Sequence, residues 1–572
     1  MIVSLIEQIP PGLIMVVGAL LVAVFPRRLQ AVSVLALSCL SLVVFLYAPQ
    51  GISSVWNFLG VSIEITRIDK ISRLFGIVFH LAAILAAIYA LHVRDARQHV
   101  AALAYAGAAI GAVAAGDLLT LFVYWELTAV TSVFLIWASD RESSFRAGMR
   151  YLIIQVGSGV LLLSGAIIRF VETGSLKFES LLGETGELNL ASGLILLAFG
   201  IKAAFPLLHN WLQDAYPEAS PTGTVFLSAF TTKLAIYALA RGYAGFEPLI
   251  YIGCAMTLFP IVFAVIENDL RRVLAYSLNN QLGFMVVGIG IGTDLALNGA
   301  FAHAFSHIIY KSLLFMSMGA VLHRVGTIKA TELGGLHRSM PWTTLFCIIG
   351  AAAISGFPLL SGFISKSMII TAAAEEHQFW VWIILLIASA GVMEHSGIKI
   401  PFFAFFGHDS GKRVEEAPWN MLCAMAIAAF LCIAIGVAYP LLYGMLPYPT
   451  DYHPYTTTHV VTQLQLLLFA ALAFVVLMKT GLYPDEKRST NLDTDWIYRR
   501  FLPALIRGGA APVRSGGRWI EASGGQISER FWKSAERIFG VHGPLGTTWS
   551  TSVMTFWATF LLAICLVLYY LQ

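Results

Sequence analysis

Long apolar runs recur along almost the whole chain, and they constrain its fold more than any other feature. A helix that crosses the hydrocarbon core of a bilayer needs about 20 apolar residues, and about sixteen runs approach this length. They cover residues 8–26, 30–48, 71–92, 99–115, 118–138, 148–170, 190–213, 221–243, 248–266, 272–292, 297–323, 342–375, 380–406, 418–440, 462–479 and 551–571. The sequence therefore predicts an all-α polytopic membrane protein with about 16 transmembrane helices.

The composition supports a membrane location. Only 12% of the residues are charged, compared with about 25% in a soluble domain, and a net charge of +3 argues against a nucleic-acid partner. The six cysteines form no Cys-x-x-Cys motif or Cys/His cluster, so we predict no metal site and no cofactor. The first run is followed by Arg27 and Arg28, whereas a secretory signal carries its positive charge before its apolar core. We therefore expect a retained helix.

The run at 342–375 is too long for one straight span and too short for two spans with a loop. It contains Ser355-Gly-Phe-Pro358, which predicts one helix broken in the middle. With this count the main basic loops share one side, and the positive-inside rule places them in the cytoplasm and the N-terminus outside. These loops contain Arg27/Arg28, Arg94/Arg97, Arg141/Arg146, Arg271/Arg272, Arg324/Lys329/Arg338, Lys412/Arg413 and the stretch 480–550, while Arg67, Lys70, Lys177 and Arg241 are exceptions.

A short internal repeat relates two of the predicted spans. The tetrapeptide Phe-Pro-Leu-Leu occurs at 205–208 and at 357–360, with Lys202 and Lys366 nearby. These tracts fall in the seventh and twelfth spans, which cross in opposite directions, and this arrangement is typical of an inverted repeat. Proline frees backbone groups that are tolerated at membrane depth only where they line protein or water. We predict two inverted five-helix repeats containing broken helices, at 99–245 and 246–410.

Other segments flank these repeats. We predict N-terminal transmembrane helices at 1–98, C-terminal transmembrane helices at 411–480, a cytoplasmic-side amphipathic segment at 481–550 and a final transmembrane helix at 551–572. Aromatic and basic residues mix around 496–507 and 527–538, as is typical of helices that lie on the inner membrane face. A solvated cytoplasmic linker is the alternative for 481–550.

Ionisable side chains inside the predicted spans are the candidate functional residues. Each costs about 2.5–3.5 kcal/mol at the bilayer centre, so such residues usually mark a pathway. The main candidates are Glu126, Lys202, Lys233, His303, His307, Lys311 and Lys366, and a second group is Glu394, His395 and Lys399. The alternatives are a structural ion pair for Glu126, a packing face for the histidines, and a local pair between Glu394 and Lys399. Asp117 is expected to be solvated at the outer membrane edge.

The residue types suit proton transfer. Apolar surroundings favour the neutral form of a lysine, and a nearby carboxylate favours the charged form. A glutamate that approaches or leaves can therefore make a lysine hold or release a proton. Histidine titrates near neutral pH and suits a relay between lysines. Because these groups fall on different helices, water must fill the gaps between them.

Five segments together resemble one known family. They are Tyr-Trp-Glu126-Leu-Thr, the tract 200–222 around Lys202, the tract 232–241 that begins Thr-Lys233, the tract 303–315, and Gly-Phe-Ile-Ser-Lys366. They resemble the antiporter-like subunits shared by respiratory complex I, membrane-bound hydrogenases and Mrp-type cation/proton antiporters, and the D-type Mrp component most closely. The similarity covers about residues 70–410.

This resemblance implies a role for each matching residue. The glutamate and lysine at 126 and 202 correspond to the family's key pair. Lys233 and the 303/307/311 positions continue a polar axis, and Lys366 opens it to the outer side. The longer C-terminus, with its possible lateral segment and extra span, instead resembles the distal antiporter-like subunit of complex I. Glu394, His395 and Lys399 have no counterpart role.

The leading hypothesis is a proton-translocating subunit, with Na⁺ as a possible second ion, in a multisubunit complex of the cell inner (plasma) membrane. The alternative is the proton-pumping membrane arm of a quinone- or hydrogen-linked oxidoreductase, and a third hypothesis is a scaffold whose buried charges only pair. The sequence contains no Rossmann fingerprint, P-loop or haem motif. We therefore expect a transporter subunit rather than an enzyme, with any redox chemistry in partner subunits.

Overall fold

The computed structural model describes residues 10–58, 60–183, 186–484, 491, 493–507, 529, 532–538 and 551–570. These residues are mostly helical and form two compact units, Met1–Asn491 and Leu492–Gln572. The first half of the larger unit contains α1 (Leu13–Val24), α2 (Arg27–Tyr47), strands β1 (Gly51–Phe58) and β2 (Val61–Ile68), α3 (Lys70–Tyr89), α4 (Ala96–Val113), α5 (Leu118–Trp137), α6 (Glu142–Thr173), α7 (Leu190–Lys202), α8 (Asn210–Ala215), α9 (Gly223–Ala229) and α10 (Thr231–Tyr243).

The second half of the larger unit is also helical. It contains α11 (Pro248–Ile266), α12 (Leu270–Ile291), α13 (Asp294–Val325), α14 (Pro341–Ser355), α15 (Ser361–Glu375), α16 (Phe379–Phe406), α17 (Trp419–Val437), α18 (Tyr439–Tyr443) and α19 (Thr457–Thr480). Within the described residues, ten helices are long and apolar enough to cross a membrane, and four shorter helices are apolar. The chain is therefore a polytopic, mainly helical membrane protein, and helices occupy all of the predicted runs.

One element departs from the all-α prediction. Strands β1 and β2 form an antiparallel hairpin that joins α2 to α3, with a left-handed Gly60 in its turn. Apolar and polar residues alternate from Val61 to Thr66 in β2, which is the period of a strand, and Ile63 and Ile68 are buried. A search for apolar runs alone passes over this pattern.

Aspartates begin four of the helices that frame the larger unit. The side chains of Asp69, Asp95, Asp117 and Asp269 accept hydrogen bonds from backbone N–H groups in the first turns of α3, α4, α5 and α12, which satisfies donors that a helix leaves unpaired. The expectation that Asp117 is solvated is wrong. It is 2% exposed and accepts from the backbone N–H of Thr120 at 2.7 Å.

Both Phe-Pro-Leu-Leu tracts interrupt a helix in the same way. The chain leaves α7 after Lys202 and leaves α14 after Ser355, so the predicted break within 342–375 is confirmed. In each tract the first leucine is left-handed, with φ of 71° at Leu207 and 72° at Leu359. The backbone N–H of Phe205 donates to Gly200, and that of Phe357 to Ala352, both at 3.0 Å.

The similarity extends far beyond the tetrapeptide, because whole helices recur at a constant spacing. The helices α4, α5 and α6 begin at 96, 118 and 142, and α11, α12 and α13 begin at 248, 270 and 294, which is 152 positions later in each case. Both α6 and α13 contain 32 residues and end before a left-handed glycine. Isolated strand bridges join Asp117 to Lys177 and Asp269 to Lys329, again 152 positions apart. The internal repeat is therefore a property of the backbone.

The basic residues that were exceptions to the charge pattern are held by local partners. Arg67 pairs with Glu179 at 3.7 Å, Lys177 with Glu64 at 3.7 Å, and Arg241 with Asp69 at 2.7 Å, while Lys70 donates to the carbonyl of Pro447 at 3.2 Å. Residues of the main basic loops are paired as well, such as Arg141 with Glu218 at 3.3 Å, so local pairing does not distinguish the exceptions.

The smaller unit contains part of the predicted amphipathic segment. Residues 495–507 are helical, with a π-helical turn at Ile497–Phe501, and Trp496 and Leu505 are exposed. Residues 532–538 and the final helix α20 (Thr551–Tyr570) are also helical. Ile527, Arg530 and Phe531, which belong to the second predicted amphipathic part, lie outside the described residues.

Arg271 tests how the connection between α8 and α9 is stabilised. Its guanidinium is buried and donates to the carbonyls of Pro217 and Ala219 at 3.0 and 2.9 Å. We expect Arg271→Met to destabilise the protein by roughly 3 kcal/mol or more, because several buried carbonyls lose their donor. Thermal unfolding of the purified protein in detergent measures this. Arg146→Met, which removes an exposed pair with Glu142, is the control, and equal unfolding of the two variants would contradict the assignment.

Candidate functional site

Glu126 and Lys202 form the first part of the site. Lys202 is fully buried at the end of α7, and its ammonium donates to the carbonyl of Trp125 at 2.6 Å and to Oγ1 of Thr128 at 2.7 Å. It also lies 4.2 Å from the centre of a Trp125 ring. Glu126 is half-buried on α5 and interacts electrostatically with Lys202. The lysine is therefore held by the helix that carries the glutamate.

The carboxylate of Glu126 occupies a space that a glycine provides. A Cβ atom at position 159 would overlap with Oε1 of Glu126, whereas a Cβ at Gly157 would meet nothing within 4 Å. Among the described residues, the buried Oε1 atom has no hydrogen-bond partner. The carboxylate thus packs closely against α6 while keeping an unused acceptor.

Lys233 lies directly after a break in its span that the apolar pattern does not reveal. The predicted run 221–243 divides into α9 and α10 at Phe230. The break frees the carbonyl of Ser228, which accepts from the ammonium of Lys233 at 2.6 Å. No proline or glycine marks this position, so neither of the usual breaker signals was available.

The helix α13 carries three of the candidate residues. His303, His307 and Lys311 are all fully buried on it. Nδ1 of His303 lies 3.1 Å from Oγ of Ser365. In the part of the chain that the structure describes, the ammonium of Lys311 and both ring nitrogens of His307 lack hydrogen-bond partners. His307 is within electrostatic range of Lys233, Lys311, His303 and Lys366, so it joins the two halves of the site.

Lys366 lies beside a cavity on α15. Its ammonium donates to the carbonyl of Ile354, in the last turn of α14, at 3.0 Å. The cavity has a volume of about 540 Å³ and is lined by Lys366, Glu375, Tyr452 and His459 among others. The break between α14 and α15 therefore supplies an acceptor for Lys366 and a wall of this cavity.

Glu394 and Lys399 are separate in their contacts. The ammonium of Lys399 donates to the carbonyls of Ala264, Val265 and Glu267 at 3.2, 2.6 and 2.8 Å. These carbonyls end α11, where a cation is favourable. Glu394 accepts from the hydroxyl of Tyr483 at 2.7 Å. Lys399 thus has a structural role as a helix cap, whatever else it does.

Several polar residues of the site were not selected from the sequence. Thr128 holds Lys202, Ser365 contacts His303, and the hydroxyl of Tyr310 donates to Gln281 at 3.2 Å. Gln281 belongs to a polar run, Ser-Leu-Asn-Asn-Gln at 277–281, inside an apolar span. That polar run could have indicated part of the site.

Within the described residues, no group of three or more His, Cys, Asp or Glu side chains could hold a metal ion.

The fold and the site together define a class: polytopic membrane proteins with a line of buried lysines and histidines beside broken helices. Residues 115–391 match the family described as NADH:quinone oxidoreductase/Mrp antiporter, TM. This match confirms the resemblance to antiporter-like membrane subunits that the motifs of the chain predict.

Relatives of known name are similar over the same region. The D component of the Na⁺/H⁺ antiporter of Alkalihalophilus pseudofirmus is 32% identical, over 54% of this chain and 64% of that protein. Hydrogenase-4 component B of Escherichia coli is 28% identical, over 65% of this chain and 62% of that protein. The matches thus span less than two thirds of these relatives. A chain in the structure of the Mrp complex from Dietzia sp. DQ12-45-1b shares the fold, with a TM-score of 0.70 at 22% identity over 81% of this chain and all of that one.

Replacement of Lys399 tests its capping role. We expect Lys399→Met to lower stability by about 1–3 kcal/mol, because three carbonyls, two of them buried, lose a charged donor. The thermal midpoint of the purified protein measures this, with Lys479→Met, at an exposed position of α19, as control. A midpoint equal to that of the unsubstituted protein would show that Lys399 does not stabilise α11.

Proposed function

We propose that this chain moves protons across the membrane as an antiporter-like subunit of a multisubunit complex. The observation that carries the proposal is the line of fully buried lysines at 202, 233, 311 and 366, with His303 and His307 between them. Each buried cation costs free energy in a membrane interior, so residues of this kind usually mark a transport pathway. The names of the relatives, which include a component of a Na⁺/H⁺ antiporter, support the same activity.

The proposed path begins at Lys202, whose protonation state Glu126 can control. Glu126 modulates Lys202, because an approaching carboxylate stabilises the ammonium form. The proton then passes to Lys233, through His307 and Lys311, and on to Lys366 and the adjacent cavity. The unpartnered atoms of His307 and Lys311 support this order, since a group with no fixed partner can exchange a proton through water. His303, one helical turn before His307 on α13, also belongs to the proposed route.

We further propose the membrane arrangement. The chain crosses the inner (plasma) membrane sixteen times, with the N-terminus outside and the cavity beside Lys366 open to the outer side. The repeats at 99–245 and 246–410 are inverted, because the recurring helices are five spans apart and an odd number reverses direction. Residues 1–98, 411–480, 481–550 and 551–572 keep their predicted roles as flanking helices, inner-face segment and final span.

The transported ion and the complex define two candidate functions. As an Mrp-type subunit, the chain would exchange protons for a cation such as Na⁺. As a pumping arm of a complex I-like oxidoreductase or hydrogenase, it would move protons alone, and the similarity to hydrogenase-4 component B favours keeping this alternative. In both cases the chain is a transporter subunit, and partner subunits carry any redox chemistry. Na⁺-dependent proton release from vesicles that contain the complex selects the first.

Replacement of Lys202 tests the proposed function directly. In inverted vesicles that contain the whole complex, we expect Lys202→Ala to lower proton transport by about 10²-fold or more, with normal amounts of the complex in the membrane. A pH-sensitive dye measures the transport, and immunoblotting measures the amount. Lys177→Ala, at a surface ion pair, should transport normally. Full transport by Lys202→Ala would contradict the proposal and indicate that the buried lysines have only a structural role.

Two glycines on α6 provide a matched test of Glu126. Alanine is favoured over glycine within a helix by about 1 kcal/mol, so neither Gly157→Ala nor Gly159→Ala should impair folding through propensity. Only the Cβ at position 159 displaces the carboxylate of Glu126. We expect slower transport from Gly159→Ala and unchanged transport from Gly157→Ala in the same vesicle assay. Equal rates would contradict a role for the placement of this carboxylate.

A further inference from the structure

The second half of α16 departs from α-helical geometry where it passes the buried site. Residues Met393–Ile398 and Phe402–Phe406 form π-helical turns on either side of a short α-helical piece. Such turns are rare in proteins, and those that do occur are often found at functional sites. The first of them contains His395, which is fully buried and which the route described above does not use.

Hydrogen bonds determine which ring nitrogen of His395 carries the hydrogen in the neutral form. The hydroxyl of Ser396 donates to Oγ of Ser277 at 2.7 Å, and Nδ1 of His395 lies 2.8 Å from Oγ of Ser396. Because Ser396 uses its only proton toward Ser277, it accepts from an Nδ1–H group. In the neutral ring Nε2 then keeps its lone pair. Among the residues that the structure describes, this buried nitrogen has no hydrogen-bond partner, so it is a base held ready for a proton.

The surroundings of His395 connect it to the lysine line. Its cationic neighbours are Lys311, Lys366 and Lys399. Lys399 is engaged by the carbonyls at the end of α11, and the carboxylate of Glu394 by Tyr483. Lys311 has no hydrogen-bond partner among the described residues, and Lys366 has a single carbonyl acceptor, that of Ile354. These two lysines are therefore the groups with which His395 could exchange a proton.

A glycine brings this turn against the broken helix. A Cβ at position 397 would overlap with Oγ of Ser355, the last residue of α14. The π-helical turn thus packs directly on the break, one residue from the Ile354 carbonyl that binds Lys366. The turn that carries His395 is therefore held next to the point where the proposed route turns toward the outer cavity.

We propose that His395 is a further proton carrier between Lys311 and Lys366, positioned by Ser396 and Ser277. This inference rests on the proposed function. The ammonium of Lys311 gives a proton, through intervening water, to Nε2 of His395 and becomes neutral. The imidazolium then passes a proton to the neutral amine of Lys366, which becomes an ammonium, and His395 returns to its neutral form. One charge moves and no other reactant is needed.

Another buried histidine shows what a purely structural one looks like in this fold. His80 is fully buried on α3, and both of its ring nitrogens are engaged, Nδ1 with the carbonyl of Gly76 at 2.7 Å and Nε2 with Oγ of Ser41 at 2.9 Å. His395 differs because its Nε2 has no hydrogen-bond partner among the described residues and because the ring has cationic neighbours. The two histidines therefore form a matched pair for experiment.

The test compares His395→Gln, His80→Gln and Lys202→Ala in vesicles that contain the complete complex. Initial rates of proton transport are measured in H₂O and in D₂O, and the amount of complex is determined by immunoblotting. We expect His395→Gln to slow transport by about tenfold or more at normal complex content. The ratio of the rates in H₂O and D₂O should rise, because proton transfer past position 395 becomes limiting. His80→Gln should leave both the rate and the ratio unchanged.

The outcomes separate this inference from the function on which it rests. A His395→Gln rate within about twofold of the parent, or a lower rate with an unchanged isotope ratio, would overturn the role of His395. If Lys202→Ala abolishes transport while His395→Gln does not, only the inference fails. If Lys202→Ala transports normally, the proposed function itself fails. A loss explained by less complex in the membrane would count against the carrier role, since it indicates a structural one.

Discussion

An ammonium group buried in a membrane protein is stabilised by hydrogen-bond acceptors, and the breaks or ends of helices supply them to three of the buried lysines here. Lys233 binds the Ser228 carbonyl freed by the break at the start of α10, and Lys366 binds the Ile354 carbonyl at the end of α14. Lys399 binds the carbonyls that end α11. An unpaired carbonyl and an unpaired ammonium are each costly in an apolar interior. At these three positions the freed carbonyls and the buried cations therefore stabilise each other.

The repeated backbone carries different chemistry in its two halves. The helices recur 152 positions apart, but the counterpart of Lys202 is Ile354, and the counterpart of Lys233 is Leu385. The second half places its cations elsewhere, on α13 and α15. A break in a helix is thus the shared element, because it exposes carbonyls at membrane depth wherever it occurs. The side chains that use those carbonyls differ between the halves.

The sequence predicts the parts of this arrangement that depend on local patterns. Apolar runs locate the helices, and proline within a run locates the breaks at Phe205 and Phe357. The break at Phe230 has no such signal, because tertiary packing rather than a breaker residue interrupts that helix. The role of Lys399 was equally out of reach, since its acceptors lie more than 130 positions away in the chain. For Asp117, an edge position suggested solvent, but its capping geometry buries it.

The cavity beside Lys366 has an electrical consequence. A membrane potential falls mainly across material of low dielectric constant, so a water-accessible cavity of about 540 Å³ would bring the outer potential inward, close to Lys366. The remaining voltage drop is then concentrated over the tightly packed stretch around His307 and Lys311. Moving a full elementary charge through 100 mV takes about 2.3 kcal/mol. In the proposed route, membrane voltage would therefore act mainly on the short transfers between these side chains, rather than on a long passage through the whole bilayer.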